Sequence, residues 1–269
     1  MTRPQAHAVA LQGDAGVGWE GGLAAAVAEL PLQAQLASTA AEAVVVVAGA
    51  KGWSATAARA LAEGARAVIV VEPATEDTAA LRALDERAKG APIILDRMRL
   101  RWDVASDAAG SAPAPLTTAR CAAASPVLAD AIADTVGWLR VLTGGTLRLR
   151  SATATSRGAL ALFDTAFGAP ATLTATALAG AGELRTDRGR ISASAFGTER
   201  TEIELAAGRS ARVIHDEGQG ARVLPPRWET RGRLALRRAI AAVRTGERTT
   251  DLADFAHDVG LAARILTSA

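Results

Sequence analysis

Two short apolar runs separated by a helix-length segment constrain the fold of this chain most. Val44–Ala48 and Ala67–Val71 are unbroken aliphatic runs, which is typical of strands buried on both faces of a parallel sheet. Between them, Ser54 is predicted to cap a helix that ends at Gly64. Two parallel strands joined through a helix form a βαβ unit, which places ligands at the carboxyl ends of its strands.

The flanking segments continue the same alternation. Further strands are predicted at His7–Gln12, Leu32–Ala37 and Ala91–Leu95, with helices at 22–30 and 75–89, the latter capped by Thr75. Strands that alternate with helices in this way favour a Rossmann-like, doubly wound parallel sheet of the α/β class.

The texture of the sequence changes after Ser106–Pro115, a stretch rich in Ala, Ser and Pro that is typical of a linker. A helix is predicted at 125–142. Beyond Gly145 the apolar residues recur with period two, which indicates an open antiparallel sheet with one covered face. We therefore expect a Rossmann-like nucleotide-binding domain at 1–113 and an α+β domain at 114–269, whose C-terminal helices lie at 234–244 and 251–266.

Composition excludes several classes of protein. The net charge is +2, and the arginines are spread along the chain apart from two modest clusters, at 97–101 and 231–238, so no concentrated basic stripe predicts nucleic-acid binding. The single cysteine, Cys121, excludes an intrachain disulfide and a cysteine-based metal site. No signal peptide and no membrane-spanning run are recognised, so we expect a soluble cytoplasmic protein that binds a small molecule and no membrane.

Three stretches resemble the Gfo/Idh/MocA family of oxidoreductases. They are ALAEGARAVIVVEPATEDTAALRALDERA (60–88), LADAIADTVGWLRVLTGG (128–145) and LRRAIAAVRTGERTTDLADFAHDVGLAARIL (236–266). The resemblance implies an NAD or NADP cofactor, a sugar, polyol or related substrate, and a homo-oligomer formed through the antiparallel sheet. The segment between Ala37 and Ala43 is short, and a helix and strand usual in the family are missing there.

A degenerate glycine loop follows the first strand. A dinucleotide fingerprint needs three spaced glycines, and the candidate positions here are Gly13, Ala15, Gly16 and Gly18. Asp14 places a carboxylate where phosphates would bind, so a turn that binds no phosphate is the alternative interpretation. Ser38, at the end of the second strand, replaces the acid that usually holds the adenosine ribose, and favours neither NAD nor NADP.

The family's Glu-Lys-Pro motif is altered. Alignment on Gly64 and Pro73 puts Glu72 at the lysine that, in the family, reaches the substrate and the nicotinamide. A carboxylate supplies neither the positive charge nor the donor of a lysine. Glu72 is a candidate general base or, alternatively, a surface acid. Lys51, in the loop after the third strand, is the candidate replacement for the lysine.

Two aspartates stand on the helix that resembles the family's Leu-x-Asp-x-Gly-x-His motif. Asp130 matches the family's aspartate, and Asp134 occupies the place of the catalytic histidine. Four residues apart, they share one helix face. They are candidate catalytic groups if they are buried together, and a solvated acidic face if they are exposed.

Other residues at the ligand end of the sheet have two interpretations each. Gly49 begins the loop after the third strand, and Trp53 either stacks on a ligand ring or caps the βαβ core. Arg97, Arg99 and Arg101 follow the fifth strand, as an anion clamp or a solvated edge. His215 is a base or a surface histidine.

Three functions remain open from the sequence. The first is an NAD(P)-dependent oxidoreductase without the usual catalytic lysine and histidine. The second is a catalytically inactive or non-redox relative that acts as a ligand-binding or partner subunit. The third is a non-redox enzyme that uses Glu72, Asp130 and Asp134 as acid and base.

Overall fold

The two apolar runs form adjacent strands of a five-stranded parallel sheet. In the sheet order β2-β1-β3-β4-β5, each strand is parallel to its neighbours. The strands are β1 (His7–Gln12), β2 (Ala34–Leu36), β3 (Val44–Ala48), β4 (Ala67–Val71) and β5 (Ile93–Asp96). β3 and β4 begin and end where the apolar runs predict, because they are buried on both faces of the sheet.

The computed structural model describes residues 6–12, 18–110, 114–178, 189–205 and 211–268. The chain forms two compact units, which we describe separately. Unit 1 comprises Met1–Met98 and Trp228–His257, and unit 2 comprises Arg99–Arg227 and Asp258–Ala269. The sequence-based division places one boundary after residue 113 instead, with all later helices in the second domain.

The helices of unit 1 that follow its strands are α1 (Gly22–Ala28), α2 (Trp53–Ala62) and α3 (Thr78–Ala88). Both predicted caps were wrong. Helix α2 is preceded by Gly52 at φ 87°, and Ser54 lies inside the helix. Helix α3 is capped by Asp77, whose carboxylate accepts a hydrogen bond from the Ala79 N–H at 2.9 Å.

The short connection between β2 and β3 follows from the register of the sheet. Leu36 and Val44 both pair with Val9, so β3 begins at the level where β2 ends, on the other side of β1. The connecting segment therefore spans only two strand spacings, about 10 Å, which seven residues bridge without a helix.

Helix α6 (Arg231–Thr245) belongs to unit 1, although the sequence suggested that it would lie in the second domain. Its buried face, which includes Leu236, Ala239 and Ile240, joins the core formed by the parallel strands and α1. Helix α7 (Asp251–Leu266) begins in unit 1 and continues into unit 2 from Asp258.

Unit 2 is built on an eight-stranded sheet in the order β13-β12-β11-β10-β6-β9-β8-β7. Helix α5 (Leu128–Thr143) packs on its central strands, and α4 (Trp102–Ala108) contacts β11 and β12. The strands are β6 (Leu116–Ala124), β7 (Leu147–Thr155), β8 (Gly158–Thr165), β9 (Pro170–Leu178), β10 (Arg190–Phe196), β11 (Arg200–Leu205), β12 (Arg212–Asp216) and β13 (Ala221–Val223).

The predicted antiparallel sheet is correct in kind but incomplete. Strand β6, which precedes α5, was not predicted, and it pairs in parallel with β9. The other neighbouring strands are antiparallel. Within the described ranges, no helix is long and apolar enough to cross a membrane.

Candidate functional site

A cluster of four side chains lies at the carboxyl ends of β4 and β5. The guanidinium of Arg231, in the first turn of α6, donates to Glu72 at 2.7 Å and to both carboxylate oxygens of Asp96 at 3.1 and 2.9 Å. The Trp19 indole N–H donates to the same Asp96 carboxylate at 2.7 Å. We call Trp19, Glu72, Asp96 and Arg231 the Arg231 cluster. It occupies the edge where α/β folds of this kind place ligands.

The chain folds tightly where Glu72 leaves the sheet. Glu72 adopts φ 54°, a left-handed conformation that costs a non-glycine residue on the order of 1 kcal/mol. Its N–H donates to the Asp96 carbonyl, and the Ala74 N–H donates to the Gly49 carbonyl at 2.7 Å. A Cβ at Gly49 would lie 2.6 Å from the Pro73 Cα, so only glycine fits at this crossing.

The Glu72 carboxylate is turned toward Gly18, at the end of the glycine-rich loop. A Cβ at Gly18 would lie 3.2 Å from Glu72 Oε1. A negative charge therefore lies next to Gly18, which is the third glycine position of the predicted dinucleotide fingerprint.

Arg231 is a fixed cation. Burial by itself lowers its pKa, but the charges and hydrogen bonds of Asp96 and Glu72 outweigh burial, and the pKa of Arg231 is raised. A guanidinium stays protonated near neutral pH, so it contributes charge and hydrogen bonds and cannot act as a base. Its side chain is 19% exposed, so the ion pairs are partly shielded from water.

The four candidate catalytic residues divide between the two units. In unit 1, Glu72 belongs to the Arg231 cluster, and Lys51 is exposed in the loop after β3. In unit 2, Asp134 is buried and forms an ion pair with Arg99 at 3.2 Å, whereas Asp130 is half-buried one turn earlier on α5. Because Arg99 balances Asp134, the two aspartates are not an isolated pair of buried like charges.

The candidate cofactor residues are placed as follows. Gly13, Ala15 and Gly16 lie outside the described residues. Gly18 and Ser38 are exposed, Gly49 is buried, and Pro73 is half-buried.

Trp53 has a structural role in unit 1. It is 1% exposed, its indole N–H donates to the Ala74 carbonyl at 2.9 Å, and its ring lies 6.1 Å from that of Phe255. It therefore caps the βαβ core, and its ring is not presented to a ligand.

The three alternating arginines after β5 form neither a shared clamp nor a solvated edge. Arg97 is buried, with its guanidinium 5.2 Å from the centre of the Phe255 ring. Arg99 pairs with Asp134, and Arg101 makes two 2.7 Å hydrogen bonds to Asp103.

His215 is held by unit 2 itself. Its Nε2 donates to the Asp107 carbonyl at 3.0 Å, and its Nδ1 lies at hydrogen-bond distance, 3.0 Å, from the Thr201 hydroxyl. Across the ranges that the structure describes, no group of His, Cys, Asp and Glu side chains is arranged to hold a metal ion.

Sequence reasoning missed three members of the Arg231 cluster. Asp96 carried a usable signal, because it is the first charged residue at the end of a buried strand. Arg231 carried a weaker one, as the first arginine of an arginine-rich helix. Trp19 carried none, since its partner lies 77 residues away.

Comparison with known proteins identifies the fold. No family model and no curated protein sequence matches the chain. Among solved structures, it is similar to UDP-N-acetylglucosamine 3-dehydrogenase GnnA from Acidithiobacillus ferrooxidans, with a TM-score of 0.69, 14% identity and coverage of 97% of this chain and 96% of GnnA. It is also similar to the 3-ketoreductase KijD10 from Actinomadura kijaniata in complex with NADP, with a TM-score of 0.67, 17% identity and 98% coverage of both chains.

A mutant of KijD10 with a lysine replaced by glutamate is a further match, with a TM-score of 0.65 and 19% identity over 98% of both chains. Its crystal structure is a complex with TDP-benzene and NADP. The chain shares its fold with this dehydrogenase and this ketoreductase over nearly its whole length, so the predicted fold is confirmed.

Proposed function

We propose that this chain is a non-catalytic relative of the sugar oxidoreductases, which serves as a ligand-binding or partner subunit and does not transfer hydride. The Arg231 cluster carries the proposal. At the position of the family's lysine stands Glu72, and this carboxylate is bound by Arg231 at the edge of the sheet.

The chemistry of the cluster supports this proposal. A catalytic lysine supplies both a positive charge and a proton that can be exchanged. Arg231 supplies a positive charge but cannot act as an acid or a base, because its pKa is raised above the usual value for arginine. Glu72 already accepts a hydrogen bond from this cation, so it is a poor candidate for a general base.

The described residues do not fit a nicotinamide dinucleotide. The Glu72 carboxylate faces Gly18, where it would repel a pyrophosphate. Helix α1 has only seven residues, so its dipole compensates little. Trp53 is packed in the core, and Ser38 provides no acid for the adenosine ribose. We therefore derive no hydride-transfer step for this chain.

One observation favours a second candidate, an NAD(P)-dependent oxidoreductase that acts on a sugar, polyol or related molecule. KijD10 binds NADP, and its lysine-to-glutamate mutant crystallised with both NADP and TDP-benzene. Loss of a lysine is thus compatible with cofactor binding in that enzyme. In this candidate the exposed Lys51 replaces the missing lysine, and Asp130 or Asp134 replaces the histidine.

Titration with NADH and NADPH, followed by the fluorescence of the reduced nicotinamide, separates the two candidates. We expect no saturable change up to about 1 mM cofactor, a concentration that detects any binding stronger than about −4 kcal/mol. KijD10 is the positive control. Saturable binding would favour the oxidoreductase. In that event, loss of turnover in Lys51→Gln but not in Lys89→Gln, which changes the other exposed lysine, would identify Lys51 as the replacement.

Association of two or more copies through the eight-stranded sheet stays a prediction of the family resemblance. Light scattering of the purified chain tests it, and a monomer mass would contradict it.

A further inference from the structure

Three arginines from three strands lie on one face of the eight-stranded sheet of unit 2. Arg120 on β6 pairs directly with Ser192 on β10, Ser192 pairs with Glu204 on β11, and Glu204 pairs with Arg212 on β12. Directly paired residues share a face of a sheet. Arg190 stands two residues before Ser192, so it shares that face as well. It is the face opposite Ala119 and Cys121, which are buried.

These arginines line one cavity of about 940 Å³. Its volume is within the usual range for small-molecule sites. The hydroxyl groups of Ser192 on β10 and of Thr174 and Thr176 on β9 also line the cavity.

Positive charge predominates in this cavity. Arg120 donates through Nε to the Ser192 hydroxyl at 2.6 Å, and Arg212 lies 3.4 Å from Glu204, the one acidic side chain of the described lining. Three guanidinium groups therefore face a single carboxylate. Guanidinium forks bind phosphate through paired charge-assisted hydrogen bonds, and neighbouring hydroxyls add further donors.

The rest of the cavity is aliphatic. Val223, Leu224 and Pro226 line it, and Val223 is 49% exposed. No aromatic side chain belongs to the described lining, so the cavity offers no surface on which a nucleobase would stack. The lining is matched to a ligand that combines an anionic group with a non-aromatic body.

We propose that this cavity binds an organic phosphate with an aliphatic body. The phosphate contacts Arg120, Arg190 and Arg212, and the body packs on Val223, Leu224 and Pro226. The proposal does not depend on the proposed function, because it uses only residues of unit 2 and none of the Arg231 cluster.

Isothermal titration calorimetry with hexyl phosphate on the full chain tests the site, with inorganic phosphate and hexanol as partial ligands. We expect saturable binding of hexyl phosphate, with weaker binding of either partial ligand. Arg190→Gln and Arg212→Gln should each weaken binding at least about tenfold, since each removes a charge-assisted contact. Arg148→Gln is the matched control, because Arg148 is an exposed arginine on β7 of the same sheet that pairs with Asp164 and lies outside the cavity lining.

Three results would overturn the proposal. The first is a heat of binding that does not saturate with hexyl phosphate up to about 10 mM, the highest concentration in the titration. The second is that Arg148→Gln weakens binding of hexyl phosphate as much as the cavity variants do. The effect would then reflect the loss of any positive charge on the protein and not a contact in the cavity. The third is a dimer in light scattering that dissociates on Arg190→Gln and takes up no hexyl phosphate, which would assign this face to a second copy of the chain.

Discussion

Arg231 lies 2.7 Å from Glu72, although 159 residues separate them in the sequence. Glu72 directly follows β4, and Arg231 begins helix α6, which packs against that strand. Asp96, from the next strand, completes the contact. Glu72, the residue that the sequence resemblance would align with the family's lysine, is therefore one half of an internal ion pair.

Arg231→Met should lower the free energy of unfolding by about 3–5 kcal/mol, because it leaves the carboxylates of Glu72 and Asp96 partly buried without their cation. Urea denaturation measures this change. Arg233→Met on the same helix is the control, since Arg233 is 48% exposed and pairs with Glu229 at 3.5 Å. We expect the control to change stability by less than about 1 kcal/mol. Equal losses in the two variants would refute a special role for Arg231.

Gly49→Ala should destabilise unit 1, because the new methyl group would meet the backbone at Glu72 and Pro73. Backbone atoms cannot move aside without disturbing the ends of β3 and β4, so we expect a loss of about 2 kcal/mol or more. Thermal unfolding measures it as a lower Tm. Gly197→Ala is the matched control, since its nearest neighbour would be a Pro115 side-chain atom at 3.4 Å, an ordinary contact. A Tm of Gly49→Ala equal to that of the control would contradict the close approach of Gly49 to the backbone of Glu72 and Pro73.

The fold could be predicted from the sequence where burial of a strand or helix requires a recognisable pattern of apolar residues. β3 and β4 were exact because strands buried on both faces are unbroken aliphatic runs. β6 was missed because its inward positions, such as Thr117, Ala119 and Cys121, are small or polar and follow directly on a proline-rich stretch. Small side chains suffice there because α5 packs closely on this strand.

The candidate site was predictable only in part, for a different reason. Glu72 could be located because it ends a strand next to Pro73. Its role depends on Arg231, which binds it from α6, and on Asp96, which accepts hydrogen bonds from Arg231 and from Trp19. Contacts of this kind arise from tertiary packing and leave no local spacing to read.

The Cys121 thiol should react slowly with thiol reagents in the folded chain. Its ionisation should also lower the free energy of unfolding at alkaline pH. Burial raises its pKa to about 11 from 9.0, so the thiolate is disfavoured in the folded state. With the unperturbed pKa of 9.0, the folded chain has on the order of 100-fold less thiolate than the unfolded chain at about pH 8. The rate at which the thiol reacts with dithionitrobenzoic acid is measured from the absorbance of the released thionitrobenzoate. A rate in the folded state equal to the rate in urea would contradict the burial of Cys121.

Because the folded-state pKa of Cys121 is the higher one, its contribution to stability is present below pH 9 and is lost as the pH rises toward about 11. Cys121→Ala should remove that part of the alkaline loss.

His7 should make the fold sensitive to mild acid. Burial lowers the pKa of His7, and the charges of Arg66 and Arg244 lower it further. The unfolded chain therefore takes up a proton near pH 6.5 that the folded chain binds only at lower pH, so stability falls as the pH drops through and below 6.5. Urea denaturation across this range should show a flatter pH profile for His7→Gln. An unchanged profile would contradict the assignment.

The account depends most directly on the coupling between Glu72 and Arg231. A double-mutant cycle measures it from the unfolding free energies of the wild type, Glu72→Gln, Arg231→Met and the double variant. If the pair holds the strand ends together, the coupling should be at least about 1.5 kcal/mol in the stabilising direction. Additive losses, with a coupling within about 0.5 kcal/mol of zero, would contradict the ion pair between Glu72 and Arg231, on which the proposed function depends.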